Sequence, residues 1–337
     1  MFSEHYSPSV GGIERSSEML ASGLAARGHA VTVITTSHAS GDAADPSDIH
    51  LLRNPPVKSL IMEARRADVV FHNGVSMRRF WVHWIARKPL VVAVHIWLRR
   101  NSGDVSAKDR FKQFMVGRAT RIVAVSPAIA SHLSARAEVI GNSYLTETFR
   151  DLGNPRDLNT IVVVSRLVPD KGVDVLIEAI AEIRSRGFEV KLRIIGDGHI
   201  AHELRDLSIK KGVSDHVDFL GIVQGDNLNA RLNECEIMVV PSRWEEPFGI
   251  VALEGLAAGC VVVVTDGGGL PFAIGDSGSI VPRGDVNGLA IELERLLRDP
   301  AYRKASNLGV EEHLAQFAPD TVVSAYESVL IEAIARK

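Results

Sequence analysis

The sequence predicts an α/β protein of two doubly wound domains that face each other across a cleft. Three observations carry this expectation. Short, continuous β-branched runs alternate with stretches of helical period, the pattern of parallel sheets covered by helices on both faces. A chain of 337 residues is long enough to bury two cores. A polar stretch with Gly and Pro, Asp151–Asn159, divides the alternation into two similar halves and reads as a linker. Sheets of this class bind ligands outside the carboxyl ends of their strands, so the functional site is expected there.

In the first half, strands are expected at Ala30–Thr35, Val69–His72, Val91–His95 and Arg121–Val125, with an amphipathic helix over Glu14–Arg27 ended by Gly28. The second half should hold strands at Thr160–Ser165, Lys191–Gly196, His216–Leu220, Ile237–Pro241 and Val261–Thr265. Its helices should cover Val173–Arg186, His199–Lys211, Leu228–Glu234, Ile250–Ala258 and Asn287–Arg298. The domains are then 1–150, 159–318 and a C-terminal helical segment 319–337, helical from about Thr321 to Arg336 and expected to pack back toward the first domain. One element is nearly missing. The chain opens Met-Phe-Ser-Glu-His-Tyr-Ser-Pro, already the loop before the first helix, where a doubly wound sheet needs an apolar strand of about five residues.

Hydrophobic residues make up 46% and charged residues 23%, as in ordinary globular domains. No apolar run approaches the length of a membrane span, and Met1 to Gly12 has neither a basic n-region nor an apolar core, so no secretory leader is expected. Two cysteines in apolar settings, Cys235 and Cys260, argue against a disulfide framework and for a cytoplasmic protein. Charge is uneven: residues 1–150 carry +7 and the rest −10. The basic half invites an anionic partner, though charge also varies between domains without purpose. Within it, Arg78, Arg79, Phe80, Trp81, Trp84, Arg87, Lys88, Trp97, Arg99 and Arg100 mix cations with aromatics. That blend suits peripheral contact with an anionic membrane. It also describes a core helix with a solvated basic face.

The most informative motif is Glu246-Pro-Phe-Gly-Ile-Val-Ala-Leu-Glu254. Pro247 and Gly249 disfavour a helix where Glu246 sits, and the run from Ile250 favours one. Glu246 should lie on a loop at a helix mouth, with Glu254 about one turn inside. The unpaired N–H groups at Phe248, Gly249, Ile250 and Val251 form a site for an anionic phosphate. Eight residues at helical rise set the acids about 10 Å apart, which suits the two ends of a sugar nucleotide. The same spacing describes a surface loop entering a core helix. Ser165-Arg166-Leu-Val-Pro-Asp-Lys171 leaves a strand with two cations that can bind phosphate oxygens, Arg166 as a fork and Lys171 as a point charge, or simply be solvated.

Gly11 and Gly12 precede the first helix and permit close backbone approach to a phosphate or sugar; a plain loop is the alternative. His95 ends an apolar strand and points toward the strand ends, where His72 and Asn73 can join it. A lone histidine is as readily structural. Gly267-Gly268-Gly269 follows a strand and reads either as a wrap around a sugar ring or as a flexible turn. Gly196-Asp-Gly198-His-Ile-Ala201 weakly fits a dinucleotide loop, but the acid that pattern needs, Asp218, opens a strand instead of ending one. No metal-ligand cluster and no nucleophile elbow is visible, so no bound metal and no cofactor is expected.

Taken in order, these motifs resemble glycosyltransferase family 4, retaining enzymes of the GT-B architecture. The likeness runs through Pro8-Ser-Val-Gly-Gly-Ile-Glu14, His95, Val164-Ser-Arg-Leu-Val-Pro-Asp-Lys-Gly172, Ile195-Gly-Asp-Gly198, Phe219-Leu-Gly221, Pro241-Ser242 and Glu246 to Glu254. The resemblance implies that Arg166 and Lys171 hold the donor diphosphate, Glu254 the ribose, and Glu246 the donor hexose near the reacting centre. It further implies backbone contacts from Phe248 to Val251, an approach by Gly12 from the other domain, and an active-site role for His95. The acceptor would attack from the face that the leaving diphosphate departs. Departures are Phe272, where many relatives carry Glu, and Asn142-Ser143 in place of Asn-Gly.

The resemblance thus implies a hexosyltransferase that takes a nucleoside diphosphate sugar as donor and a sugar or lipid-linked saccharide as acceptor, with no nucleic acid partner. A sugar-nucleotide epimerase, a nicotinamide dehydrogenase using Gly196–Ala201, and a non-catalytic sugar-nucleotide-binding module remain open.

Overall fold

A computed structural model describes the chain apart from residues 5, 7–11, 39–47, 77, 100–103, 134, 337 and the side chain of Leu158. Two compact units emerge, one of Met1–Ser143 with Pro319–Lys337, the other of Tyr144–Ala318. In the first unit, α1 (Gly12–Ala26), β1 (Thr32–Thr35), β2 (His50–Arg53), α2 (Val57–Arg66), β3 (Val70–Asn73), α3 (Val82–Ala86), β4 (Leu90–Val94), α4 (Ala107–Val116), β5 (Arg121–Ala124), α5 (Pro127–His132) and β6 (Glu138–Val139) follow one another. The strands pair in parallel in the orders β1-β2 and β3-β4-β5-β6.

Phe2 joins these two pieces, because it bridges in parallel to Ile34 on one side and His72 on the other. Its N–H donates to the Phe71 carbonyl at 2.7 Å and its carbonyl accepts from Asn73 at 2.9 Å, while Ser3 donates to the Ile34 carbonyl at 3.0 Å. Met1 to Ser3 therefore act as a stub of the central strand, and not as loop. That corrects the sequence expectation: two ladders, not hydrophobic length, place these residues. Beside Met1 the starts of β1 and β3 flank a cavity of about 390 Å³ lined by Val31, Thr32, Val69 and Val70.

The second unit runs β7 (Asp157–Val164), α6 (Val173–Ser185), β8 (Lys191–Ile195), α7 (Ala201–Lys210), β9 (Val217–Gly221), α8 (Gly225–Asn233), β10 (Cys235–Val240), α9 (Ile250–Ala257), β11 (Val261–Thr265), α10 (Leu270–Ile274), β12 (Ser279–Val281), α11 (Val286–Arg298), α12 (Pro300–Ala305) and α13 (Val310–Ala315). Its all-parallel sheet has the order β12-β11-β10-β7-β8-β9. The order reverses between β7 and β10, which makes their carboxyl ends the switch point where such sheets take ligands. Strand β11 is buried at all five residues because helices cover both faces. Helix α6 buries Val173, Leu176, Ile177 and Ile180 against that sheet, each worth about 1.5–3 kcal/mol on transfer from water. Strand β7 begins at Asp157, inside the stretch read as linker.

The last helix, α14 (Pro319–Ala335), belongs to the first unit. Val322, Val323, Tyr326, Val329, Leu330 and Ala333 repeat at helical spacing and join Leu20, Leu24, Phe71 and Val91 in one core. Gly23 lets α1 and α14 meet: a Cβ there would sit 2.6 Å from a Val323 methyl. Arg27 pairs with Glu327 at 2.7 Å along the same seam. The cation–aromatic stretch proves divided. Phe80 is core at 1% exposure, Trp84 is 50% exposed, the Arg99 guanidinium stacks 4.3 Å over Trp97, and Arg100 lies outside the described residues.

Candidate functional site

In the second unit the site grows from two loops that leave adjacent strands. After β7 the chain makes a short 3-10 turn, Pro169–Lys171, and after β10 it runs from Pro241 to Gly249 before entering α9. The backbone N–H groups of Arg243 and Trp244 both donate to the Asp170 carbonyl, at 2.9 and 3.1 Å. This tie brings Lys171 to Glu246. Their side chains form an ion pair, 19% and 14% exposed, and the Ser242 hydroxyl donates to the same Glu246 oxygen at 2.8 Å. Water is scarce around the pair, so its attraction is stronger than that of a solvated surface pair.

Arg166 follows β7 at the switch point and is exposed, with no ion pair among the described residues. The hydroxyl of its neighbour Ser165 is buried and has no hydrogen-bond partner among the described residues. Backbone crowding explains the Gly-Asp-Gly motif. A Cβ on Gly196 would lie 1.8 Å from the Ser165 carbonyl oxygen, and one on Gly198 2.1 Å from that of Leu167. Close packing accounts for both glycines without a dinucleotide.

Helix α9 begins at Ile250 because Gly249 takes the left-handed N-cap conformation, φ 117° and ψ 58°, which strains any other residue. Its first N–H groups have no intrahelical acceptor and open onto the loop that carries Glu246. Glu254 lies one turn inside and is 8% exposed. Phe248 is 2% exposed, and its ring packs 5.5 Å from that of Phe317 and 6.1 Å from that of Phe272. Only the Phe248 main chain is therefore available to a ligand. The triple glycine is neither a free turn nor an open wrap. Gly269 donates to the Glu246 carbonyl at 2.7 Å, and a Cβ on Gly268 would lie 2.1 Å from that oxygen. These glycines let the loop after β11 brace the Glu246 backbone.

The first unit holds the remaining candidates. Gly12 is the exposed first residue of α1, and Gly11 lies outside the described residues. His95 follows β4, is 6% exposed, and its Nε2 is 2.7 Å from Asn73 Oδ1. Burial lowers its pKa to about 4, against a smaller opposing effect from a hydrogen bond with Asn142. A neutral ring donating Nε2–H to Asn73 follows. Asn73 in turn donates to Ser17 Oγ at 2.7 Å, and Ser17 donates to the Ile13 carbonyl at 2.8 Å. This chain anchors the first turn of α1 to the ends of β3 and β4.

Sequence reasoning missed Ser17, the hydrogen bond between Asn142 and His95, and the grip of Ser242 on Glu246. Ser17 left a trace: it is the polar member of the buried α1 stripe that continues Leu20, Ala21, Leu24. Among the described residues, no group of three His, Cys, Asp or Glu could hold a metal ion.

Known proteins match this chain along most of its length. The model described as "Glycosyl transferases group 1" matches residues 146–310, and that described as "Glycosyltransferase Family 4" matches residues 10–142. An uncharacterized glycosyltransferase of Methanocaldococcus jannaschii is 30% identical over 283 residues, covering 81% of this chain and 77% of the relative. A D-inositol 3-phosphate glycosyltransferase of Stackebrandtia nassauensis is 28% identical, covering 90% and 83%. Among solved structures, the Anabaena protein Alr3699/HepE in complex with UDP and glucose superposes with a TM-score of 0.76 at 20% identity, over 98% of both chains.

Proposed function

This chain belongs to the group 1, family 4 glycosyltransferases of the GT-B fold, and from that premise we propose that it transfers a hexose, with retention of configuration, from a nucleoside diphosphate sugar to a sugar or lipid-linked saccharide. The observation that carries the proposal is the Lys171–Glu246 pair, held at the switch point beside the open start of α9. In this reading Arg166, Lys171 and the N–H groups from Phe248 to Val251 receive the diphosphate. Glu254 receives the ribose and Glu246 the hexose hydroxyls.

On donor binding the Lys171 ammonium exchanges Glu246 for phosphate oxygens, and the released carboxylate turns to the hexose. As the glycosidic bond breaks, negative charge grows on the leaving diphosphate, where two cations and aligned N–H dipoles lower its energy. The acceptor attacks from the face the diphosphate leaves, and a phosphate oxygen takes its proton. His95, neutral and fixed by Asn73, lines the strand ends of the first unit without adding charge.

A UDP-sugar is the favoured donor, on the likeness to a fold relative solved with UDP and glucose. A role in cell-surface polysaccharide or glycolipid synthesis fits a saccharide acceptor. A reducing cytoplasm fits two buried free thiols that burial pushes up to about 11 and 12. Thermal unfolding with UDP, GDP and ADP, followed by nucleoside diphosphate release from the matching hexose donors, tests the proposal. Stabilisation by at least one diphosphate, and turnover that rises with a saccharide acceptor, is the expected result. No stabilisation by any of the three sinks it.

A further inference from the structure

Glu246 is preceded by a second acid, Glu245, and the structure sends the two carboxylates in opposite directions along the sheet. The loop that carries both leaves β10, which has β7 on one side and β11, then β12, on the other. Glu246 turns to the β7 side and meets Lys171. Glu245 turns to the β12 side, where its Oε1 lies 3.3 Å from Nη1 of Arg283, a residue of the loop after β12.

Arg283 is itself set by the loop between them. Its backbone N–H and its Nε both donate to Asp266 Oδ1, at 3.2 and 3.1 Å, and the Asp266 N–H donates to the Val281 carbonyl at 3.0 Å. Its stem lies over Gly267, where a Cβ would come 2.7 Å from Arg283 Cδ. One guanidinium thus spans the loops after β10, β11 and β12. Glu245, Arg283 and Asp266 are 31%, 36% and 50% exposed, so their pairing adds little stability. Its effect is on where charge sits. A diphosphate site works with one carboxylate on its lysine, because that carboxylate is exchanged for phosphate when the donor arrives. A second, unneutralised carboxylate one residue away would compete for the ammonium and repel the incoming anion. The sequence does not sort two adjacent glutamates; the cation after β12 does.

We propose that Arg283 is a positioning residue of the donor site that acts through Glu245. It draws that carboxylate to the β12 side and neutralises it, which leaves Lys171 to Glu246. The inference deepens the glycosyltransferase reading and rests on it for the diphosphate, but not for the sorting of the two acids.

Calorimetric titration of UDP into the full chain and its variants tests the role. Arg283→Gln should weaken UDP binding about threefold to tenfold at low salt. The difference from wild type should shrink at about 0.5 M salt, where exposed charges are screened within a few Å. Arg283→Lys, which keeps the charge, should recover part of the loss. Arg283→Gln combined with Glu245→Gln should recover most of it, and Glu245→Gln alone should bind UDP at least as tightly as wild type. Wild-type affinity in Arg283→Gln overturns the proposal. So does a loss that persists at high salt and in the double variant, which would make Arg283 a loop brace only. A second arm needs no donor: acetic anhydride should modify Lys171 about half as fast in Arg283→Gln, because a nearby carboxylate favours the unreactive ammonium. The double variant should restore the rate, and an unchanged rate in Arg283→Gln also overturns the proposal. Failure of wild type to bind UDP, GDP or ADP sinks the donor reading instead, while Lys171 acetylation still decides the sorting.

Discussion

Replacing Glu246 with Gln is expected to move donor binding and turnover in opposite directions. Glu246 and Lys171 are paired when no donor is present, at 14% and 19% exposure, so the carboxylate competes with the diphosphate for the ammonium. Exposed pairs are worth about 0.2–1 kcal/mol, and removing one partner of a fully buried pair costs about 3–5 kcal/mol. This pair lies between those limits. Glutamine keeps an oxygen that can accept the Ser242 hydroxyl, now 2.8 Å from Glu246, so the loop loses charge and little else. Freeing Lys171 from a competitor worth about 1–2 kcal/mol should tighten UDP binding roughly 5–30-fold. Turnover should fall, because the hexose loses its carboxylate. Calorimetry with UDP and initial rates of UDP release read the two effects separately. Weaker UDP binding by Glu246→Gln, or turnover equal to wild type, refutes the reasoning.

Two further outcomes follow from the first unit. His72 and His95 are held neutral by burial, with pKa values lowered to about 3 and about 4 from 6.5. The unfolded chain therefore binds more protons below pH 6.5, and stability falls as pH drops. The loss is about 1.4 kcal/mol per pH unit for each histidine down to pH 4, and continues for His72 alone toward pH 3. Urea midpoints at pH 7.5, 6 and 5 measure this, and a midpoint that stays flat to pH 5 contradicts it. Phe111 and Phe114 on α4 are 48% and 58% exposed beside Lys108, Arg110 and Lys112. Low-salt co-sedimentation with anionic vesicles is expected and should weaken in Phe114→Ser; equal pelleting of neutral and anionic vesicles counts against it.

What the sequence discloses depends on how many residues an element uses to bury itself. Strand β11 and helix α6 declare themselves because each commits a long run to one environment. Strand β2 is partly exposed along its length, and helices α3 and α10 have five residues each, too few to display a period. Boundaries shifted for a related reason. Residues Ala30 and Val31 satisfy the hydrophobic pattern, but the ladder of β1 starts at Thr32. At the site, the residues were legible and their partnerships were not. Lys171 and Glu246 lie 75 positions apart, and only the hydrogen bonds from Arg243 and Trp244 to Asp170 reveal that they meet. Phe248 was legible as a helix-mouth residue, but its burial against Phe317 depends on a segment far along the chain.

The placement of α14 sets an order of events during synthesis. The second unit is continuous from Tyr144 to Ala318 and can collapse as soon as that stretch clears the ribosome. The first unit, although its other residues are translated earlier, lacks Val322, Tyr326 and Val329 until the codons of α14 are read. Nascent chains stalled before residue 319 should therefore present the apolar face of Leu20, Leu24 and Phe71 to chaperones, and the half made first matures last.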